Sequence, residues 1–230
     1  MSEHWFISGA NRGIGLEFVR QLKARGDEVT AGVRNDEARD ALAARLAPQH
    51  AQAQTLTFDA RDAASIRKAA DSLSQPINVL VANAGAFGPQ QQSTIEMDFE
   101  GALDLFSINA LGPLRLAQAL LPRLHGSLNP RIALMSSELG SMANVNPSTA
   151  IYSATKAALN KLSQCLASEL KPQGICVVAM HPGWVRTDMG GPNAPLSVTE
   201  SVEGMLATID GLGIDDSGSF LNFRGEALAW

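Results

Sequence analysis

The sequence has a single tyrosine, Tyr152, and only two cysteines, Cys165 and Cys176. Two thiols with no paired spacing and no Cys or His cluster beside them exclude a disulfide-built scaffold; two buried, reduced side chains are expected. The four histidines, His4, His50, His125 and His181, are scattered, and none stands at a zinc-ligand spacing from another, so no metal is expected. The chain also lacks a basic run, and its net charge is −5. Phosphate-backbone binding needs clustered Lys and Arg, so no nucleic acid partner is expected. Long apolar runs are missing too. The longest, such as ICVVAM, reach about six residues, far short of the roughly 20 that cross a bilayer. The opening MSEHWFISGAN has neither the basic start nor the apolar stretch of a secretory signal. A cytosolic protein without a membrane partner is the expectation.

What is present suits one large α/β domain over residues 1–230, with an apolar fraction of 45% that is ample for a core. Apolar runs alternate with helical patterns, the signature of a parallel sheet with crossover helices. Strands are expected at 4–8, 28–33, 53–59, 77–85, 131–137, 175–181 and 218–223, and helices at 15–26, 36–46, 62–73, 98–124 and 149–170. Pro113 falls near the middle of the fourth helical region, and the stretch GGPNAPLS at 190–197 reads as a mobile loop.

The first strand runs straight into SGANRGIG, with Gly9, Gly13 and Gly15, and then into a helix. Glycine there permits a tight turn and lets backbone N–H groups approach a pyrophosphate at the helix N-terminus. The spacing differs from G-x-G-x-x-G, and a plain flexible turn is the competing reading. At the end of the second strand, Val33 stands where an NAD-preferring site has an acid, and Arg34 follows it. With Arg12 inside the glycine turn, two guanidinium groups would suit a 2′-phosphate and hence NADP(H). The alternative is two solvated surface arginines.

Tyr152 and Lys156 lie four apart on a predicted helix and share a face. An ammonium near a phenol favours the phenolate and predicts a pKa below about 10, useful for moving protons near neutrality. Taken alone, Y-x-x-x-K is also an ordinary helix-surface pair. Upstream, the fifth strand ends in MSSELG, at the edge where open α/β sheets place ligands. Ser137 there could hydrogen-bond a carbonyl, or merely cap a turn.

Gly9-x3-Gly13-x-Gly15, NAG at 83–85, Asn109, SSELG, Tyr152-x3-Lys156 and HPGWVRT occur in the order and spacing of the short-chain dehydrogenase/reductase family. NRGIGLEF, HPGWVRTDMGG and the closing GSFLNFRGEALAW resemble, within it, the C-factor and sniffer-type carbonyl reductase branch. The resemblance implies a Rossmann-type doubly wound parallel sheet of about seven strands, ordered 3-2-1-4-5-6-7, with helices on both faces. It implies a general acid or base at Tyr152, with Lys156 lowering its pKa and holding the nicotinamide ribose. It gives Ser137 the task of polarising the substrate carbonyl, with Ser136 as the fallback. Asn109 would hold a water linking Lys156 to solvent. Asn11, Arg12, Ile14 and the three turn glycines would surround the pyrophosphate side, Arg34 the 2′-phosphate and Asp59 the adenine amino group. Asn83, Ala84 and Gly85 would line the cofactor site, and Pro182, Gly183, Val185 and Thr187 the nicotinamide end. It also implies a homodimer or homotetramer paired through the helices at 99–124 and 149–170.

Two departures stand out. NNAG is ANAG here, and Ser137 lies 15 residues before Tyr152, where 13 is commoner, so SMANVNPSTA should reshape the pocket wall. A small carbonyl or hydroxyl substrate follows from the resemblance. So does the rival, a C-factor-like dinucleotide-binding signalling protein with little turnover.

Overall fold

The computed structural model describes residues 2–46 and 53–230; His50 lies outside them. In chain order the described elements begin with β1 (His4–Ser8), α1 (Gly13–Ala24), β2 (Glu28–Val33), α2 (Asp36–Arg45), β3 (Gln54–Thr57), α3 (Ala63–Asp71) and β4 (Val79–Ala82). They continue with α4 (Phe99–Phe106), α5 (Gly112–Leu124), β5 (Arg131–Met135), α6 (Ala150–Leu170), β6 (Cys176–His181), α7 (Val198–Gly211) and β7 (Phe220–Asn222). The seven strands form one parallel sheet in the order β3-β2-β1-β4-β5-β6-β7, as expected.

The strands read as continuous apolar runs because both faces of the sheet are covered. Trp5 and Ile7 of β1 pack under α1 and α7, while Phe6 between them faces α3 and α5. The same alternation holds in β4, where Val79 and Val81 face one side and Leu80 and Ala82 the other. Strand order reverses at β1, which pairs with both β2 and β4. Such a switch point opens a crevice beyond the strand C-termini, where this fold class binds ligands.

The long helical region at 98–124 is interrupted by a π turn over Ser107–Leu111. Pro113 has no N–H to donate four residues back to the Asn109 carbonyl, so the regular ladder cannot run through this point. Two elements were not anticipated. One is a two-stranded hairpin, Gln92–Ser93 against Glu96–Met97, too short to show periodicity. The other is α7, whose start carries a legible capping box of Ser197 and Glu200. The stretch at 190–197 is bonded to the loop before it. Arg186 Nη1 donates to the carbonyls of Ala194 (2.9 Å) and Pro195 (2.6 Å), and Leu196 bridges Val185.

Cys176 is buried in β6, but Cys165 is exposed on α6, against the expectation of two buried thiols: it falls on the helix face turned from the sheet. Among the described residues no helix is long and apolar enough to cross a membrane, and no group of three metal-ligating side chains occurs. At the N-terminal edge of the sheet a polar recess of about 590 Å³ is lined by ion pairs. Buried Arg131 pairs there with Glu3, and Arg25 with Asp27 and Asp210.

Candidate active site

A cleft of about 650 Å³ opens at the opposite edge, above the C-termini of β1, β2, β4 and β5. All the residues expected in the site line it except Gly15, Asn109, Ser137, Gly183 and Val185, which stand back from it. The glycines of the first turn are there for space. Gly9 adopts φ +67°, and a Cβ on Gly15 would lie 2.2 Å from the Gly9 carbonyl oxygen. Asn83 Nδ2 donates to the Ser8 carbonyl (2.9 Å) and the Ala84 N–H to Ser8 Oγ (3.0 Å), binding the end of β4 to the turn. The floor is thus a close-packed backbone surface of the kind that cradles a pyrophosphate, at the N-terminus of α1. Gly183 and Val185 instead shape the following loop: Val185 is buried and bridges Leu196.

At the adenosine end, Arg12 and Arg34 both line the cleft, but they are not equivalent. Arg12 is held by Asp188 at 2.8 Å, both side chains largely in solvent. The Arg34 guanidinium has no ion-pair partner among the described residues. Asp59 is engaged by Arg61 Nη2 at 2.7 Å, and these hydrogen bonds hold its carboxyl below the ordinary value. Arg45, whose Nη1 donates to the Asn11 carbonyl (2.8 Å), and Arg61 also line the cleft; spacing along the chain gave no sign of either.

At the other end α6 presents Tyr152 and Lys156, both buried. The Lys156 Nζ lies 5.8 Å from the centre of the Tyr152 ring and donates to the Met135 carbonyl at 2.7 Å. Burial with no carboxylate beside it lowers the Lys156 pKa to about 8. Tyr152 moves opposite to the expectation. Its pKa is raised, chiefly by burial, with the neighbouring Ser137 hydroxyl pulling the other way. The Lys156 ammonium, turned to the Met135 carbonyl, does not offset this burial.

The paired serines separate cleanly. Ser136 Oγ donates to Asn160 Oδ1 at 2.5 Å and is a structural link to α6. Ser137 Oγ accepts from the Leu139 N–H at 3.2 Å, which leaves its own proton to offer. Gly140 explains the glycine of S-x-x-G: a Cβ there would lie 2.6 Å from the Lys156 carbonyl carbon, so only glycine lets this turn settle onto α6. The longer segment after it exposes Met142 and Val145 and is anchored where the Met142 N–H donates to the Trp230 carbonyl (3.1 Å).

Asn109 is buried in the π turn. Its amide donates to the Ala86 carbonyl (2.9 Å) and Thr155 Oγ1 (3.1 Å), and its Oδ1 accepts from the Ala86 N–H (2.9 Å). Both amide hydrogens are therefore used within the protein. Pro113 leaves the Asn109 carbonyl without the usual donor four residues on.

The buried lysine ties stability to pH. In the folded chain Lys156 titrates at about 8 rather than 10.5, so above pH 8 the unfolded chain binds more protons and stability rises. Cys176, raised from 9.0 to about 11 by burial, and Tyr152 act in the opposite sense at higher pH. Denaturant titrations should therefore show stability increasing from pH 8 to about 9 and flattening or falling beyond. A monotonic fall from pH 8 would show that Lys156 is not buried as a cation.

A family model for the short chain dehydrogenases matches residues 3–195. C-signal of Myxococcus xanthus is 42% identical over 156 residues, 67% of this chain and 93% of that protein. Among solved structures, NADPH-bound carbonyl reductase from chicken fatty liver is 33% identical with a TM-score of 0.91, covering 100% of this chain and 99% of that one. Carbonyl reductase Sniffer of D. melanogaster is 33% identical at 0.90, covering 100% of both. The family match over most of the chain and the full-length structural likeness agree: the chain belongs to the short-chain dehydrogenase/reductase family of oxidoreductases, in its C-factor and sniffer-type branch.

Proposed function

We propose that this oxidoreductase is an NADPH-dependent carbonyl reductase acting on a small aldehyde, ketone or quinone. The observation that carries the reading is the buried Tyr152 and Lys156 lining the cleft beside Ser137, with unpaired Arg34 at the cleft's far end. The chicken relative was solved with NADPH, and this chain offers fitting contacts. The Gly9–Gly15 turn would face the pyrophosphate, Arg34 and Arg12 the 2′-phosphate, Asp59 the adenine, and Pro182 and Thr187 the nicotinamide. A bound NADPH supplies the hydride to the carbonyl carbon. Ser137 donates its free O–H to the carbonyl oxygen and orients it. Tyr152 gives that oxygen its phenolic proton, and burial keeps the phenol protonated until then. Lys156 holds the ribose and puts positive charge near the phenolate as it forms.

Consumption of NADPH with a panel of aldehydes, ketones and quinones tests the reading directly. Similarity to C-signal sustains a second one, a dinucleotide-binding signalling protein; tight NADPH binding without turnover on any substrate would favour it. Cofactor choice has its own test. Arg34→Ala should weaken NADPH binding by roughly 1–3 kcal/mol in calorimetry and leave NADH unchanged. Arg12→Ala should cost less, since Asp188 already competes for that guanidinium. Equal losses for both cofactors would overturn the 2′-phosphate assignment.

A homodimer or homotetramer is also proposed. Ala154 of α6 is exposed, Ala157, Ala158 and Leu162 stay partly open, and α4 exposes Phe99 and Leu103. Light scattering that returns the mass of one chain at micromolar concentration would overturn it.

A further inference from the structure

Gln92 belongs to the short hairpin, 60 positions from Tyr152, yet is only 2% exposed. Its amide is used on both sides. Oε1 accepts from the Tyr152 N–H at 2.9 Å, and Nε2 donates to the carbonyls of Phe87 (2.9 Å) and Pro89 (3.1 Å). Tyr152 is the third residue of α6, where backbone N–H groups have no partner inside the helix. Thr149, just before the helix, makes no side-chain cap. The distant hairpin therefore supplies the cap. The same amide fixes the loop bearing Phe87, whose ring stands against the phenol at 5.1 Å. Phe87 is 41% exposed, so its own burial gives that loop little hold.

We propose that Gln92 is a positioning residue for the reaction: one buried amide clamps the backbone of Tyr152 and the aromatic wall beside its phenol into a single unit. An apolar side chain at 92 would leave a buried N–H and two carbonyls without partners. The wall would then come free of the phenol.

The inference rests on Tyr152 being the proton donor, and the test separates the two. Because Tyr152 is the only tyrosine, ultraviolet titration reads its phenol without any turnover. Gln92→Met should lower kcat roughly tenfold or more, with the KM for NADPH within about twofold of wild type. Its phenol should titrate nearer the ordinary 10.0, being less enclosed. Adding Phe87→Ala to Gln92→Met should cost little beyond Phe87→Ala alone, as for two parts of one device. Gln92→Glu keeps an acceptor for the Tyr152 N–H but loses the amide donors, and serves if the Met variant does not fold; it too should lose kcat. Folded Gln92→Glu with wild-type kcat and titration, or losses that simply multiply in the double variant, would overturn the proposal. Turnover retained in Tyr152→Phe would instead sink the donor assignment, while the titration still reports whether Gln92 holds the phenol.

Discussion

Tyr152→Phe should remove 10²- to 10⁴-fold of the carbonyl-dependent NADPH oxidation, the scale of a general acid, and leave the fold intact. The ring stays, so packing against Phe87, Ile151, Ala102 and Leu105 is kept. Only the hydroxyl goes, and its protein neighbour is Ser137, which can turn elsewhere. Melting temperature and NADPH affinity should therefore change little while kcat collapses. A Phe variant that keeps more than about a tenth of the activity would be inconsistent with proton donation by Tyr152. The wild-type phenol should titrate above 10 without cofactor, since burial opposes the phenolate more than Ser137 favours it. A titration below 10 in the same state would show that the lysine charge outweighs burial.

Lys156→Met should move activity and stability in opposite directions, or cost activity with no loss of stability. The ammonium is buried, has one hydrogen bond to the Met135 carbonyl, and has no acidic partner among the described residues. A pKa of about 8 means that holding the charge at pH 7 costs on the order of 3 kcal/mol. Against that, the variant leaves the Met135 carbonyl without its donor, at about 1–3 kcal/mol. The first effect balances or exceeds the second, so the melting temperature at pH 7 should hold or rise. Activity should fall roughly 10²-fold or more, because the charge beside the developing phenolate is gone. The variant's relative stability should decline between pH 8 and 10.5, where the wild-type lysine sheds its proton. A large drop in melting temperature at pH 7 would mean that the ammonium supports the fold rather than straining it.

Much of this architecture was legible in the residues. β1 and β2 fall on the expected limits because strands covered on both faces are written as unbroken apolar runs. Gly9, Gly13 and Gly15 announce the turn: the first two take positive φ, and a Cβ on the third would strike the Gly9 carbonyl. The hairpin at 92–97 left no trace, since two-residue strands carry no period. α7 went unread although Ser197 and Glu200 spell its cap.

Sheet order, the glycine turn, the Tyr152–Lys156 pair and the family can all be read along the chain, because each is encoded by neighbours within a few positions or by motifs in register. The fold settles that Ser136 serves α6 while Ser137 stands beside the phenol, and that the Asn109 side chain is occupied by Ala86 and Thr155. It alone decided that Arg12 is engaged and Arg34 is not, and that burial raises the phenol pKa instead of lowering it. The reason is physical: helix spacing fixes which side chains share a face, but hydrogen-bond partners and desolvation are set by elements that meet across the fold. Gln92, 60 positions from Tyr152 and bonded to its backbone, is the clearest instance.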